Sequence, residues 1–342
     1  MKVAIVGFGF NAEKAHVPVY RDRSDIHLTA VVDPVTSRRA AALRQYADIR
    51  VYEQFSDLLE EYSSEIDIID ICLPNAFHVE SIKQALAADK HVLCEKPLVL
   101  NKAEYYELIN IANERKRILY PCHNYKFAPS IVHAAYLINS GEIGTPLFAS
   151  FNIFGVGFQP GVSGKDKELS GGGIMIDHGL DAISVAQTLF GGFPQRISAH
   201  TRSFNETNSK LEDVAVFCLD WENKLINISV SSLGSIPKAY YRIQGTEGEI
   251  SIENNDVFLS VKDKPVQHIF VPTYFDDPGH TNWFNGLIEN FLDCANNPDT
   301  EPFSLMEAGL VLEIAEKASH SSNNGGSWMG IEFTTKSLQM VG

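Results

Sequence analysis

The chain has 342 residues and a formal charge of −15, from 43 acidic and 28 basic side chains. That length suits two domains, the acidity and the lack of a Lys/Arg-rich run argue against nucleic acid or anionic membrane as partner, and no apolar run approaches the ~20 residues of a membrane span. The five cysteines, Cys72, Cys94, Cys122, Cys218 and Cys294, include no C-x-x-C pair, so neither a disulfide framework nor a metal site is expected, and a reducing cytoplasm is the default compartment.

The first element is a β-branched strand, KVAIV, that runs into Gly7-Phe8-Gly9-Phe10-Asn11-Ala12. This is the G-x-G-x-x-G/A spacing of a dinucleotide site: Gly7 for the tight turn, Gly9 for backbone approach to a pyrophosphate, Ala12 for close packing of helix on strand. The apolar start is too short for a signal peptide and lacks its cleavage site. A second strand, IHLTAVVD, ends in Asp33, near the ~20-residue separation at which a carboxylate can hold a ribose 2′-hydroxyl. A carboxylate there repels a 2′-phosphate, which favours NAD. Arg38 and Arg39 nearby offer an adenine stack or a phosphate contact, which keeps NADP open. His16, just before Pro18, reads as structural.

Strand and helix patterns then alternate: FSDLLEEY helical, IDIIDICLP a buried strand, HVESIKQALAAD helical, KHVLCEKP a strand, KAEYYELINIANERK a helix with Tyr105, Leu108, Ile109 and Ala112 on one stripe, and ILYPCHNYK a strand. Such alternation predicts a doubly wound parallel sheet over residues 1–122, with its ligand site at the carboxyl ends of the strands. The polar residues gather at those ends: Leu73, Pro74, Asn75 and His78 after one strand, Glu95, Lys96 and Pro97 after the next, Tyr125 and Lys126 after the third. Lys96, beside a carboxylate and directed by proline, suits a positioned proton donor or a ribose ligand. His78 is expected to cap the next helix or to contact the cofactor. Cys72, Cys94 and Cys122 read as small buried hydrophobes.

The stretch GGGIMIDHGLD, Gly171 to Asp181, opens a helical run, with glycines where backbone must pass close to something. Asp177 and Asp181 stand four apart, a spacing that puts both on one face of a regular helix, with His178 between them. From about residue 147 alternating strands follow: LFASFNIF, QRISAHTRSF, EDVAVFCLDWEN, LINISVSSL, YYRIQGTEGEISIEN and DVFLSVKD. They predict an antiparallel sheet, with Tyr240 and Tyr241 in its core or a subunit interface. Two helices come after it, TNWFNGLIENFLDCA and SLMEAGLVLEIAEKAS. His280 stands at the start of the first, and SSNNGGSW reads as a flexible loop. Residues 123–342 are thus expected to form a substrate-binding and oligomerisation domain.

These motifs in this order, GFGFNA, Asp33, LPNAFHVE, HVLCEKPL, NYKFAP, INSGEIGTP and GGGIMIDHGLDA, resemble the glucose-fructose oxidoreductase / inositol dehydrogenase / MocA family over nearly the whole chain. The resemblance implies an amino-terminal Rossmann domain and a carboxy-terminal α/β domain with a mostly antiparallel open sheet. It implies NAD(P)-dependent oxidation or reduction of a sugar or cyclitol, and homodimers or homotetramers formed through that sheet. Carried across residue by residue, it makes Lys96 the active-site lysine, Asp177 the substrate-binding or catalytic aspartate, and Tyr125 and Lys126 the pocket pair, with lysine in place of the usual arginine. The chain departs from the family pattern D-x-G-x-H: Asp181 stands where the acid/base histidine is expected, and the WR pair before the glycines is missing. Asp181, His178 and His280 are the candidates to replace that histidine. Two other readings stand beside the oxidoreductase one: an NAD-dependent glycosidase or lyase with transient oxidation, since related folds host such enzymes, and a cofactor-binding protein whose catalytic histidine has been lost, which the departure favours.

Overall fold

The computed structural model describes residues 1–46, 48–156, 173–204, 211–254, 256–271, 281–297 and 303–333. It divides into two compact units. The first is built on Met1–His123. Six strands, β1 (Lys2–Val6), β2 (His27–Val32), β3 (Arg50–Tyr52), β4 (Ile68–Ile71), β5 (His91–Cys94) and β6 (Leu119–Pro121), pair in parallel in the order β3-β2-β1-β4-β5-β6. β1 from Val3 on and β4 apart from Asp70 are apolar and buried on both faces, as strands covered by helices must be. Asp70, in β4, is charged and fully buried.

Between the strands lie α1 (Val17–Asp22), entered through a π-turn at Ala12–His16, then α2 (Thr36–Gln45), α3 (Phe55–Tyr62), α4 (His78–Ala87) and α5 (Lys102–Arg115). In α5 the expected stripe of Tyr105, Leu108, Ile109 and Ala112 is the buried face. The side chain of Asn101 caps it, accepting from the N–H of Glu104 at 2.9 Å. Neither α2 nor β3 is predicted from the sequence: α2 buries only Ala42 and so carries no apolar stripe, and β3 is a three-residue edge strand. The strand order reverses between β1 and β4, and their carboxyl ends flank the crevice where doubly wound sheets bind ligands.

The second unit is built on the described chain from Asn124 to Val271. It opens with α6 (Pro129–Asn139), whose proline at the first turn is pre-set for a helix, and includes α7 (Leu180–Phe190), entered through a second π-turn at Met175–Gly179. Its sheet contains β7 (Pro146–Val156), β8 (Arg196–Arg202), β9 (Val214–Trp221), β10 (Lys224–Gly245), β11 (Gly248–Glu253), β12 (Asp256–Val261), β13 (Gln267–Phe270) and β14 (Met329–Gly330). The order is β13-β12-β11-β10-β9-β8-β14, with β7 paired to β10. The two strands expected as LINISVSSL and YYRIQG are the limbs of one 22-residue strand, β10. Residues 225–233 of β10 pair with 148–156 of β7, and residues 238–245 run back along 154–146, so β7 lies between the limbs. Alternate residues, such as Ile226, Ile228 and Val230, or Phe217, Leu219 and Trp221, are buried on one face, the period-2 pattern of a half-covered sheet.

Two long helices follow in sequence, α8 (Thr281–Asn296) and α9 (Phe303–Asn323). α8 belongs to the first unit rather than to a continuous 123–342 domain: Phe284 meets the ring of His16 at 4.5 Å between centroids, and Asn290 accepts from the Tyr120 hydroxyl at 2.6 Å. The helix carries its partners for that sheet on one apolar face. SSNNGGSW is not a flexible loop. Its first residues finish α9, and Ser321 Oγ accepts from Ala199 N–H at 2.9 Å while donating to the Ser327 carbonyl at 2.6 Å, which ties the turn to β8.

Candidate active site

The first unit places one group of candidates around the ends of β1, β4 and β5. Gly7 has φ +96°, and a Cβ there would stand 2.8 Å from the Cys72 carbonyl oxygen, so the turn requires glycine. A Cβ at Gly9 would meet nothing within 4 Å: the loop is open on that side. The first helical hydrogen bond, Glu13 N–H to Gly9 C=O at 3.0 Å, leaves the preceding N–H groups, at Phe10, Asn11 and Ala12, outside the helical ladder. Phe10 and Asn11 are exposed and Ala12 is buried. An open glycine with helix-start N–H groups beside it is the cradle a pyrophosphate needs, so the residues present fit a dinucleotide.

Asp33 is 1% exposed. Its carboxylate accepts from Phe8 N–H and from Val35 N–H, both at 2.8 Å, with an Arg38 guanidinium N–H at 3.4 Å. It braces the glycine loop from behind, a duty the sequence pattern does not reveal. Arg39 donates to the Asp33 carbonyl at 2.7 Å and pairs with Glu53 at 3.0 Å. Leu73, Pro74 and Asn75 are half-buried after β4. His78 is fully buried, with Nε2 2.8 Å from the Leu73 carbonyl and Nδ1 3.0 Å from the Pro97 carbonyl. Burial draws its pKa below the usual imidazole value. The ring joins the turns that follow β4 and β5.

After β5 come Glu95, buried, and Lys96, half-buried, with a cis peptide to Pro97. Glu95 Oε2 accepts from the backbone N–H of Lys96 at 3.2 Å, and Oε1 lies 3.0 Å from His16 Nε2. Burial alone would raise the Glu95 carboxyl, but the His16 ring and the Lys96 charge outweigh it and hold it below the usual range.

The second unit holds the other candidates. Gly173 passes so close to the Glu212 backbone that no side chain fits, and Glu212 takes up the start of the following turn: Ile174 N–H donates to its carbonyl at 2.9 Å and Met175 N–H to its carboxylate at 3.2 Å. Gly171 and Gly172 lie outside the described residues, as does His280. Asp177 lies in a π-turn, Met175–Gly179, and Asp181 in the helix that follows it. Asp177 is half exposed, with His178 Nε2 3.9 Å from it, while Asp181 is 1% exposed inside α7. His178 packs against Gly155 of β7, where a Cβ would meet its Nε2 at 3.2 Å.

Tyr125 is half-buried and Lys126 buried, the latter with its ammonium 5.4 Å from the ring centre of Phe127. The sequence pattern misses Tyr241 as a polar neighbour of these residues. It is 4% exposed and meets Phe151 edge-on at 5.1 Å. Burial, then the nearby Tyr125 and Asp181, push its phenol far above the usual value. The hydroxyl at an inward position of β10 is the only signal the sequence gives of it.

Residues 1–123 match the model of an oxidoreductase family with NAD-binding Rossmann fold, and residues 135–331 match that family's C-terminal alpha/beta domain. D-glucoside 3-dehydrogenase of Escherichia coli (strain K12) is 28% identical over 240 residues, 69% of this chain and 66% of that enzyme. D-xylose 1-dehydrogenase (NADP(+)) of Haloarcula marismortui is 27% identical over 323 residues, 91% of this chain and 88% of that enzyme. An oxidoreductase from Agrobacterium radiobacter, solved with NAD+, L-tartaric acid and magnesium, shares the fold at a TM-score of 0.84 and 19% identity, over 97% of this chain and 98% of that one.

Proposed function

The chain belongs to the glucose-fructose oxidoreductase / inositol dehydrogenase / MocA oxidoreductase family, and from that membership we propose that it transfers a hydride between NAD and a secondary alcohol or ketone of a sugar, sugar derivative or cyclitol. The observation that carries the reading is the cradle at Gly7 and Gly9, open on one side and closed on the other by Cys72. Two relatives whose names specify a sugar or glycoside dehydrogenase support the substrate class. The nicotinamide, when bound, supplies or takes the hydride. The chain's own residues bind and handle the proton. The loop Gly7–Asn11 holds the pyrophosphate, Asp33 and Arg38 serve the adenosine end, and Leu73, Pro74, Asn75 and Pro97 shape the walls. Lys96 donates a hydrogen bond to the reacting oxygen. Asp177, His178, Tyr125 and Lys126 bind substrate hydroxyls, and Asp181 accepts the proton.

The test is a panel of aldoses, glycosides, sugar phosphates, sugar nucleotides and inositols with NAD, following nicotinamide absorbance and product together. Lys96→Ala and Asp181→Asn are expected to lower kcat by roughly 10²–10⁴. Full activity in both refutes the assignment, and cleavage of substrate without net absorbance change reassigns the chain to a lyase.

The same reading includes a homodimer or homotetramer built through the second sheet. It is supported by apolar side chains exposed on strands β7, β9 and β10, at Phe154, Val216, Leu225 and Leu233. A monomeric mass in light scattering refutes it. We assign the cytoplasm as compartment on the five free cysteines; among the described residues no helix is long and apolar enough to cross a membrane. Cell fractionation checks the assignment.

A further inference from the structure

His16 is fully buried beneath the glycine loop, and neither of its nitrogens faces solvent. Nδ1 lies 2.7 Å from Asp70 Oδ2, and Nε2 lies 3.0 Å from Glu95 Oε1. A neutral imidazole carries one N–H and can donate to only one carboxylate; an imidazolium donates to both. The Tyr20 hydroxyl donates to the same Asp70 oxygen at 2.8 Å, the Cys72 thiol lies 3.6 Å from the other, and Phe284 covers the ring. Burial opposes charge on the ring, but Asp70 outweighs it and holds the imidazole above its usual pKa. A cation is thus built into the interior of this unit between two strand ends, and one of its carboxylates also grips the chain at Lys96.

We propose that His16 is a positioning residue for the reaction: bridging Asp70 and Glu95, it fixes the carboxylate that holds the Lys96 backbone N–H, and so sets the direction and the charge environment of the Lys96 ammonium. The proposal rests on the reading of Lys96 as the group that holds the reacting oxygen. The geometry runs in one line. Glu95 has one oxygen on His16 and the other on Lys96 N–H, so it cannot rotate without breaking one bond. His16 in turn is anchored by Asp70, in the middle of the sheet. Removing the imidazolium leaves Glu95 free to turn and makes the surroundings of Lys96 one charge more negative. Removing the Glu95 charge makes them one charge more positive. The two changes act on the lysine in opposite senses.

The experiment uses the full chain with NAD and the best substrate of the panel. His16→Gln is expected to lower kcat roughly ten- to hundredfold, as loss of alignment does, with the KM for NAD within about twofold of wild type. The alkaline limb of the kcat profile should move up in His16→Gln and down in Glu95→Gln, each by about one pH unit, and return toward wild type in the double variant. A merely structural role moves neither limb, or moves both the same way, and that result overturns the proposal, as does a wild-type kcat in His16→Gln. Where His16→Gln does not fold, nitrogen NMR of the wild type labelled in histidine decides, the His16 signals being identified by their shift in Glu95→Gln. Both ring nitrogens should be protonated at neutral pH, and a singly protonated ring overturns the proposal. Full turnover by Lys96→Ala refutes the parent reading by itself. An inactive Lys96→Ala beside a fully active His16→Gln refutes only the positioning role.

Discussion

Gly7 and Gly9 belong to one motif but answer to different physics, and alanine at each separates them. At Gly7 the backbone has φ +96° and an added Cβ would stand 2.8 Å from the Cys72 carbonyl oxygen. That carbonyl cannot yield easily, because the Cys72 N–H is bonded to Val6 C=O at 2.8 Å and β4 is locked in parallel register to β1. The left-handed backbone costs about 1–2 kcal/mol and the overpacking about 1–3 kcal/mol. Gly7→Ala should therefore lose about 2–5 kcal/mol without any ligand, a fall in Tm of roughly 4–20 °C for a unit of this size. Gly9 has a negative or extended φ and open space at the Cβ position. Gly9→Ala should leave the Tm of the ligand-free protein nearly unchanged, within about 0.5 kcal/mol, while weakening NAD about tenfold or more by occupying the approach of the pyrophosphate, about 1.4 kcal/mol in binding. Scanning calorimetry gives the first quantity and isothermal titration with NAD the second. A Gly7→Ala protein as stable as wild type, or a Gly9→Ala protein that binds NAD normally, refutes the assignment of these glycines.

Three further outcomes follow from particular contacts. In Asp33→Asn one amide oxygen must replace two carboxylate oxygens that accept from Phe8 and Val35, leaving a buried N–H unpaired at about 1–3 kcal/mol. The same change removes the charge that repels a 2′-phosphate, so the NADP-to-NAD ratio of kcat/KM should rise, and an unchanged ratio in steady-state kinetics contradicts the cofactor assignment. Gln187 is 2% exposed, and neither its amide nitrogen nor its oxygen has a hydrogen-bond partner among the described residues; Gln187→Leu should therefore stabilise by about 1–3 kcal/mol in urea unfolding, and destabilisation contradicts this. The His16 bridge sets a pH window for stability. The folded pKa of His16 is raised above an unfolded value of about 6.5, so its contribution is full below that pH and is lost as pH rises through the folded value. Glu95 is depressed and contributes above its unfolded value of about 4.3, losing its share as pH falls through the folded value. The stability gap between wild type and His16→Gln should thus be widest between about pH 5 and 6.5 and shrink toward alkaline pH; a constant gap in chemical unfolding from pH 5 to 10 contradicts the bridge.

The first sheet is legible because strands buried on both faces must be mostly apolar, as IDIIDICLP and KHVLCEKP are at their centres. The stripe of α5 is legible because its period and its caps are local. What is not legible depends on partners far along the chain. Nothing near His16 shows that its nitrogens meet Asp70, 54 residues on, and Glu95, 79 residues on. Asp177 and Asp181 read as a like pair by their spacing, but one is half exposed and the other buried, a difference that depends on packing and not on spacing. Asp33 is visible as an acid at a strand end, but its commitment to the Phe8 and Val35 N–H groups is a matter of loop geometry. α8 reads as part of the second half by sequence position, and only its contacts with His16 and Tyr120 place it in the first unit.

The replacement of an expected histidine by Asp181 bears on whether this chain has kept catalysis. A histidine that accepts a proton becomes a buried cation. Asp181, 1% exposed in a helix of mostly apolar neighbours, becomes neutral when it accepts one. The phenol of Tyr241 keeps its proton at any working pH, raised by burial and then by Tyr125 and Asp181. It can donate a hydrogen bond to a carboxylate or a substrate oxygen but cannot serve as the base. Under the proposed function the proton-accepting role in this unit is Asp181's, and the Tyr241 phenol is a donor. In the proposed function an aspartate at this position thus reverses the sign of the charge change while keeping a group that can take the proton.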